Sequence, residues 1–156
     1  MNSVWVLVCD AAKARVFDVR EGGASWRLVS ETLHAGSRSK AAALAGDRSG
    51  SRSSQGRSVH HNALAPASSP KEVQKEHFAH ELGRTLDQAV RSSEFEHWVL
   101  VAPPHFVGLI ESELSPALKK SLLTTVGKDL NHLDQRALEE TLRENVRVPL
   151  DQQDGA

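Results

Sequence analysis

Short apolar runs separated by polar turns open the chain. Val4–Cys9 is continuously apolar and rich in β-branched residues, which is typical of a central strand covered on both faces. Ala14–Val19 predicts a second strand, and Gly22-Gly23 marks a turn before a third strand over Trp26–Leu33. Because the connections are short, the three strands are predicted to form an antiparallel meander.

Helical and strand patterns alternate in the second half of the chain. Ser69-Pro70-Lys71-Glu72 predicts a helix start in which the Ser69 hydroxyl caps the Glu72 N–H, the Glu72 carboxylate bonds back and Pro70 takes the first helical position. Apolar spacing extends this helix to about Arg91. The further predicted elements are a buried strand over His97–Ala102 ended by Pro103-Pro104, helices over Phe106–Leu114 and Ala117–Leu123, a strand over Thr124–Asp129 and a helix capped by Asp134.

This order of elements predicts an α/β (α+β) fold with a mixed sheet and helices on both faces. A three-strand meander followed by βα units is the ribonuclease-H-like arrangement. We expect a single globular domain over residues 1–150 and a polar tail over 151–156. The apolar run before Asp10 is short and has no basic lead, and no stretch approaches the length of a membrane span. We therefore expect no signal peptide, no membrane partner and a cytoplasmic location.

Residues 36–69 interrupt the globular pattern and are predicted to form a long, basic, flexible loop. The segment is rich in serine and contains few sizeable aliphatic side chains. Its charged residues are Arg38, Lys40, Arg48, Arg52, Arg57 and Asp47. The segment therefore carries +4 in a chain whose net charge is −1, which leaves −5 for the rest. Loops of this length are usually functional or disordered.

Four stretches of the chain resemble a known family. They are Trp5–Asp10 followed by Ala14–Phe17, Gly56–Ser58 with His60-His61, Lys75–Leu82, and Leu100–Phe106 with Lys128–Leu130. On these residues the chain resembles the bacterial host attachment protein family, which is named for attachment to host cells. That family is in turn similar to the central domain of archaeal and eukaryotic peptide-chain release factors.

The release-factor resemblance bears on one residue in the basic segment. In release factors the corresponding loop ends in Gly-Gly-Gln, and its glutamine enters the peptidyl-transferase centre of the ribosome. The nearest match here is Ser53-Ser54-Gln55-Gly56, which lacks the two preceding glycines and the backbone freedom they give. Peptidyl-tRNA hydrolysis by Gln55 is therefore an alternative that the sequence disfavours.

Metal-dependent hydrolysis has incomplete support. Asp10 ends the first strand, and Glu72 or Glu76 could add a second metal ligand. The fourth strand, however, ends in Ala102-Pro103-Pro104, where a further acid is needed. Asp10 is therefore interpreted as the residue that begins a turn.

The other reactive side chains favour structural roles. His77 and His80 lie one helical turn apart, but no zinc-binding pattern accompanies them or His60-His61, so they are interpreted as surface residues. Cys9 lies inside an apolar strand and is expected to be inert. We accordingly expect no metal, no other cofactor and, on balance, no enzymatic activity.

Two sites remain for binding. Pro104 and His105 open a helix after a strand, where free N–H groups favour an anion. The residues predicted to contact nucleic acid are Arg38, Lys40, Arg48, Arg52, Arg57, His60 and His61. They could contact phosphates without recognising the base sequence. The sequence thus predicts a non-catalytic RNA- or ribosome-binding module. A protein-binding adaptor in cell-surface or attachment physiology is the alternative, and the oligomeric state stays open.

Overall fold

The computed structural model describes residues 3–34 and 69–148. The strands in these ranges are β1 (Val4–Cys9), β2 (Lys13–Arg20), β3 (Ser25–Leu33), β4 (His97–Val101) and β5 (Leu122–Val126). The helices are α1 (Pro70–Arg91), α2 (Pro104–Glu111), α3 (Pro116–Ser121) and α4 (Gln135–Thr141). A 3-10 turn over Glu21–Gly23 joins β2 to β3.

The five strands form one mixed sheet in the order β3-β2-β1-β4-β5. β1, β2 and β3 make the predicted antiparallel meander, whereas β4 and β5 run parallel to β1. Because β2 is antiparallel to both β1 and β3, strand β3 runs in the same direction as β1. The last residues of β1, β3, β4 and β5 therefore lie along one side of the sheet, here called the carboxyl edge.

The side chains of β1 are buried on both faces of the sheet. Trp5, Leu7 and Cys9 pack in a core with side chains of α1, α2 and α3. Val4, Val6 and Val8 pack in a second core with side chains of α4 and the residues that follow it. This two-sided burial explains why the β1 sequence is apolar throughout rather than alternating.

The helix starts follow the capping signals in the sequence. The Ser69 hydroxyl accepts from the Glu72 N–H at 3.0 Å, and the Asp134 carboxylate accepts from the Ala137 N–H at 2.9 Å, both as predicted. The Glu72 carboxylate, however, lies 2.7 Å from the His105 imidazole of α2 instead of bonding back to the start of its own helix. A tertiary contact has replaced the local one.

Three predicted elements need corrected boundaries. The helix predicted over Phe106–Leu114 spans Pro104–Glu111. It starts earlier because proline fits the first turn of a helix as well as the end of a strand. β5 starts at Leu122, so the predicted helix over Ala117–Leu123 and strand over Thr124–Asp129 were both placed too late. The parallel register with β4 sets this boundary.

Gly83 allows a close approach between α1 and the chain after α2. A Cβ atom at Gly83 would lie 3.0 Å from the Cβ atom and 3.1 Å from the carbonyl oxygen of Glu113. A Cβ atom at Gly108, on an exposed position of α2, would meet nothing within 4 Å. The two helical glycines therefore have opposite packing environments.

We predict that Gly83→Ala destabilises the protein. Overpacking typically costs about 1–3 kcal/mol, and the better helix propensity of alanine offsets about 1 kcal/mol of it. Urea unfolding followed by tryptophan fluorescence measures the net change. Gly108→Ala is the matched control and should raise the free energy of unfolding by about 0.5–1 kcal/mol. Equal stabilisation by both substitutions would contradict the close approach at Gly83.

Candidate functional site

The first turns of α1 and α2 meet at the carboxyl edge. The 2.7 Å contact between the Glu72 carboxylate and the His105 imidazole joins them at their N-terminal ends. Behind this pair the rings of Phe78 and Phe106 pack with centroids 6.0 Å apart. Gly127, which follows β5, lies close to Pro104, because a Cβ atom added there would be 3.9 Å from the proline ring.

The end of β3 joins the same edge through His34. The His34 N–H donates to the carbonyl of Ala12, in the turn after β1, at 2.9 Å. Its imidazole stacks on Phe78 with centroids 4.7 Å apart and planes 18° apart. The side chain is buried, and neither ring nitrogen has a hydrogen-bond partner in the described part of the chain. The end of β3 at His34 and the start of α1 after Ser69 therefore both lie at the carboxyl edge.

A hydrogen-bonded group around Asn131 ties the segment after β5 to β2. Arg15 donates from Nε to the Asn131 side-chain oxygen and from Nη2 to the Asn131 carbonyl, both at 3.1 Å. The Asn131 side-chain nitrogen donates to the Lys13 carbonyl at 3.0 Å. Asn131 is 4% exposed, so these bonds satisfy polar groups that water does not reach. No local sequence pattern marks this group, because 116 positions separate Arg15 from Asn131.

A family profile described as "Protein required for attachment to host cells" matches residues 5–142. The chain belongs to this family. The match extends from β1 to Leu142, the residue that follows α4, and includes the basic segment. A search of the curated proteins finds no match.

In this host attachment family member the described candidates occupy ordinary structural positions. The Asp10 carboxylate accepts from the backbone N–H groups of Ala12 at 2.8 Å and Lys13 at 2.9 Å, which confirms that Asp10 begins the turn. Pro104 and His105 form the first turn of α2, where His105 faces Glu72. The carboxyl edge therefore places a carboxylate beside the candidate anion site.

The candidate metal residues on α1 lie apart from any ligand cluster. Glu76 and His77 are exposed, and the His80 imidazole contacts the Glu113 carboxylate at 2.8 Å. Within residues 3–34 and 69–148 no three histidine, cysteine, aspartate or glutamate side chains are grouped so that they could hold a metal ion. No helix in these ranges is both long enough and apolar enough to cross a membrane.

The predicted nucleic-acid residues lie outside the described residues. They are Arg38, Lys40, Arg48, Arg52, Arg57, His60 and His61, and Gln55 belongs to the same part of the chain. The structure describes the residues on either side of them, at the carboxyl edge.

Cys9 lies inside the sheet in the core that α1 covers. The side chain is 1% exposed. Burial raises the pKa of the Cys9 thiol far above its ordinary range, and the negative charge of Asp10 raises it further. The thiol is therefore neutral in the folded protein, as expected for an inert residue.

We predict that Asn131→Ala costs about 1–3 kcal/mol of stability, because Arg15 and the Lys13 carbonyl lose buried partners. Urea unfolding measures the loss. Asn145→Ala is the control, since its half-buried side chain makes no hydrogen bond within the described ranges, and it should change stability by less than about 0.5 kcal/mol. Equal losses would show that the Asn131 bonds contribute nothing specific.

We also predict that Cys9 lowers the free energy of unfolding at mildly alkaline pH. The unfolded thiol ionises near its ordinary pKa of about 8.5, whereas the folded thiol stays protonated. The unfolded state therefore binds fewer protons above that pH, and the free energy of unfolding decreases. Comparing urea unfolding of the wild type and Cys9→Ala at pH 7.5 and pH 9.5 isolates this effect, which should be absent from the variant. An identical pH dependence in both proteins would contradict it.

Proposed function

We propose that this member of the host attachment family is a non-catalytic RNA-binding module that associates with the ribosome through residues 36–69. One observation supports this most directly. His34 and Ser69, the described residues that flank this part of the chain, lie at the same edge of a packed sheet. The intervening sequence is held at both ends by the scaffold and carries a charge of +4.

The composition of the segment fits contacts with the phosphate backbone. Its lysine and arginine residues would neutralise phosphates, and neighbouring serines would donate hydrogen bonds to phosphate oxygens. His60 and His61 would extend the contact. Because residues 36–69 contain no aromatic ring of phenylalanine, tryptophan or tyrosine, the proposal involves no stacking on bases. Binding would follow backbone geometry rather than nucleotide sequence.

The fold gives a reason to choose ribosomal RNA. A meander followed by two parallel strands, in the order β3-β2-β1-β4-β5, supports a ribonuclease-H-like arrangement. The proposed relation to the central domain of release factors rests on the loop between the third strand and the first long helix. In those factors the corresponding loop enters the ribosome. We propose a cytoplasmic location on the same grounds and assign no hydrolytic step to Gln55.

Co-sedimentation with ribosomes across a salt series tests this proposal. The wild type should travel with a ribosomal fraction at low salt and dissociate steeply as salt rises, since each phosphate contact releases bound counterions. A variant with Arg48→Glu, Arg52→Glu and Arg57→Glu should stay in the supernatant. Glutamine at the same three positions should bind weakly, with a slope of log K against log salt that is shallower by about 2–3.

The control carries the same change of charge elsewhere. Lys119→Glu, Lys120→Glu and Arg143→Glu alter exposed residues at the end of α3 and after α4. This variant should sediment as the wild type does. Absence of the wild type from every ribosomal fraction at low salt would refute the proposal. Binding that resists salt would instead support a protein partner.

A further inference from the structure

An open groove lies between α1 and the outer strands of the meander. Its volume is about 420 Å³, which falls within the range of about 300–1,000 Å³ typical of small-molecule sites. Its lining includes the apolar side chains of Trp5, Leu7, Val16, Phe78, Leu82 and Leu86.

A bulge in β3 contributes one apolar residue to the lining of the groove. Val16 pairs with Ser30 and Phe17 pairs with Leu28, so Val29 is an extra residue in β3. This bulge turns Val29 toward the core that α1 covers, where it lines the groove. The bulge thus adds an apolar side chain from the edge strand to the lining of the groove.

Two aromatic rings that line the groove, those of Phe78 and Trp5, each pack against another ring. Phe78 stacks on His34 with centroids 4.7 Å apart, and Trp5 packs against Phe95 with centroids 4.8 Å apart. Each of these two lining rings is therefore fixed by a partner that is not itself part of the lining. A ligand would meet a preformed surface and would not have to order these side chains.

The charged residues that the described part of the chain contributes to the groove have one sign. Glu81 and Glu94 line it, and no lysine, arginine or histidine within residues 3–34 and 69–148 does so. Both residues are exposed, and neither carboxylate forms an ion pair with a residue in the described ranges. The other polar side chains that line it in the described part of the chain are neutral, namely Ser30, Thr32, Thr85, Gln88 and Ser92.

We propose that this groove binds a small organic cation, namely an ammonium group carried on an apolar aryl or alkyl body. The body would lie against Trp5, Leu82 and Val29, whose side chains keep some exposed surface. Glu81 and Glu94 lie on the order of 15 Å apart along the axis of α1, so their carboxylates would attract the ammonium group from two ends of the groove. The apolar lining supplies affinity by removing hydrophobic area from water, and the two carboxylates select the sign of the charge. An anion, including nucleic acid, would be repelled at this site.

Three probes built on one skeleton test the proposal. 4-Phenylbutylamine, 4-phenylbutanol and 4-phenylbutyrate present a cation, a neutral group and an anion on the same apolar body. Calorimetric titration of the full chain at pH 7 should give the tightest binding for the amine and the weakest for the carboxylate. Two exposed carboxylates acting across several ångströms of water, with screening by salt, correspond to a preference of roughly a few-fold for the amine over the carboxylate.

Paired variants locate the binding and separate its two causes. Glu81→Gln with Glu94→Gln should bring the three affinities together without abolishing binding. Thr85→Trp, at an exposed position of α1 that lines the groove, should fill it and weaken all three. Glu111→Gln with Glu140→Gln removes two exposed charges elsewhere and should leave the order unchanged.

Each contrary outcome overturns a stated part of the inference. No heat of binding for any probe at about 10 mM, well above ordinary ligand affinities, would show that the groove is not a ligand site. Equal affinities in the wild type would refute selection by charge. An amine affinity that is unchanged in both Thr85→Trp and the Glu81/Glu94 double variant would place the ligand elsewhere. None of these results depends on whether the protein binds ribosomes.

Discussion

The rest of the structure depends on the central position of β1, which is covered on both faces of the sheet and paired along both of its edges. Its backbone pairs with β2 on one side and β4 on the other, so it has no free edge. Its side chains alternate between two cores, one built with α1 and the other with α4. Its neighbours in the sheet and in the two cores come from sequence before residue 36 and from sequence after residue 69. Folding therefore brings together the sequences on either side of residues 36–69.

This constraint explains how the scaffold can accommodate a long polar insertion. A long link between β3 and α1 adds little to the cost of forming the core, because the entropic cost of closing a loop grows only slowly with its length. His34 and Ser69 lie at the carboxyl edge since β3 runs in the direction of β1 and α1 begins beside α2. The edge where ligands gather in open α/β sheets is thus where the basic segment departs and returns.

The sequence predicted what local interactions decide and failed where distant ones decide. The caps at Ser69 and Asp134 and the turn at Asp10 each depend on neighbours in sequence. The uninterrupted apolar run Val4–Cys9 indicated burial on both faces but not which elements cover the strand. Leu122 could extend a helix or begin a strand, and only its pairing with Trp98 of β4 settles the choice. The Arg15–Asn131 bonds have no local signature for the same reason. The groove was equally hidden, since it arises from a bulge and from the position of α1 over the sheet.

Charge is divided between the two proposed binding surfaces. Residues 36–69 carry +4 and the remainder of the chain carries −5, although the net charge is only −1. A body of this sign repels phosphate at long range, so any nucleic acid would be directed to the basic segment. The carboxylates of Glu81 and Glu94 belong to that negative body and would keep the groove clear of RNA. The same separation of charge that would direct RNA to one part of the molecule would thus leave the groove available to a cation.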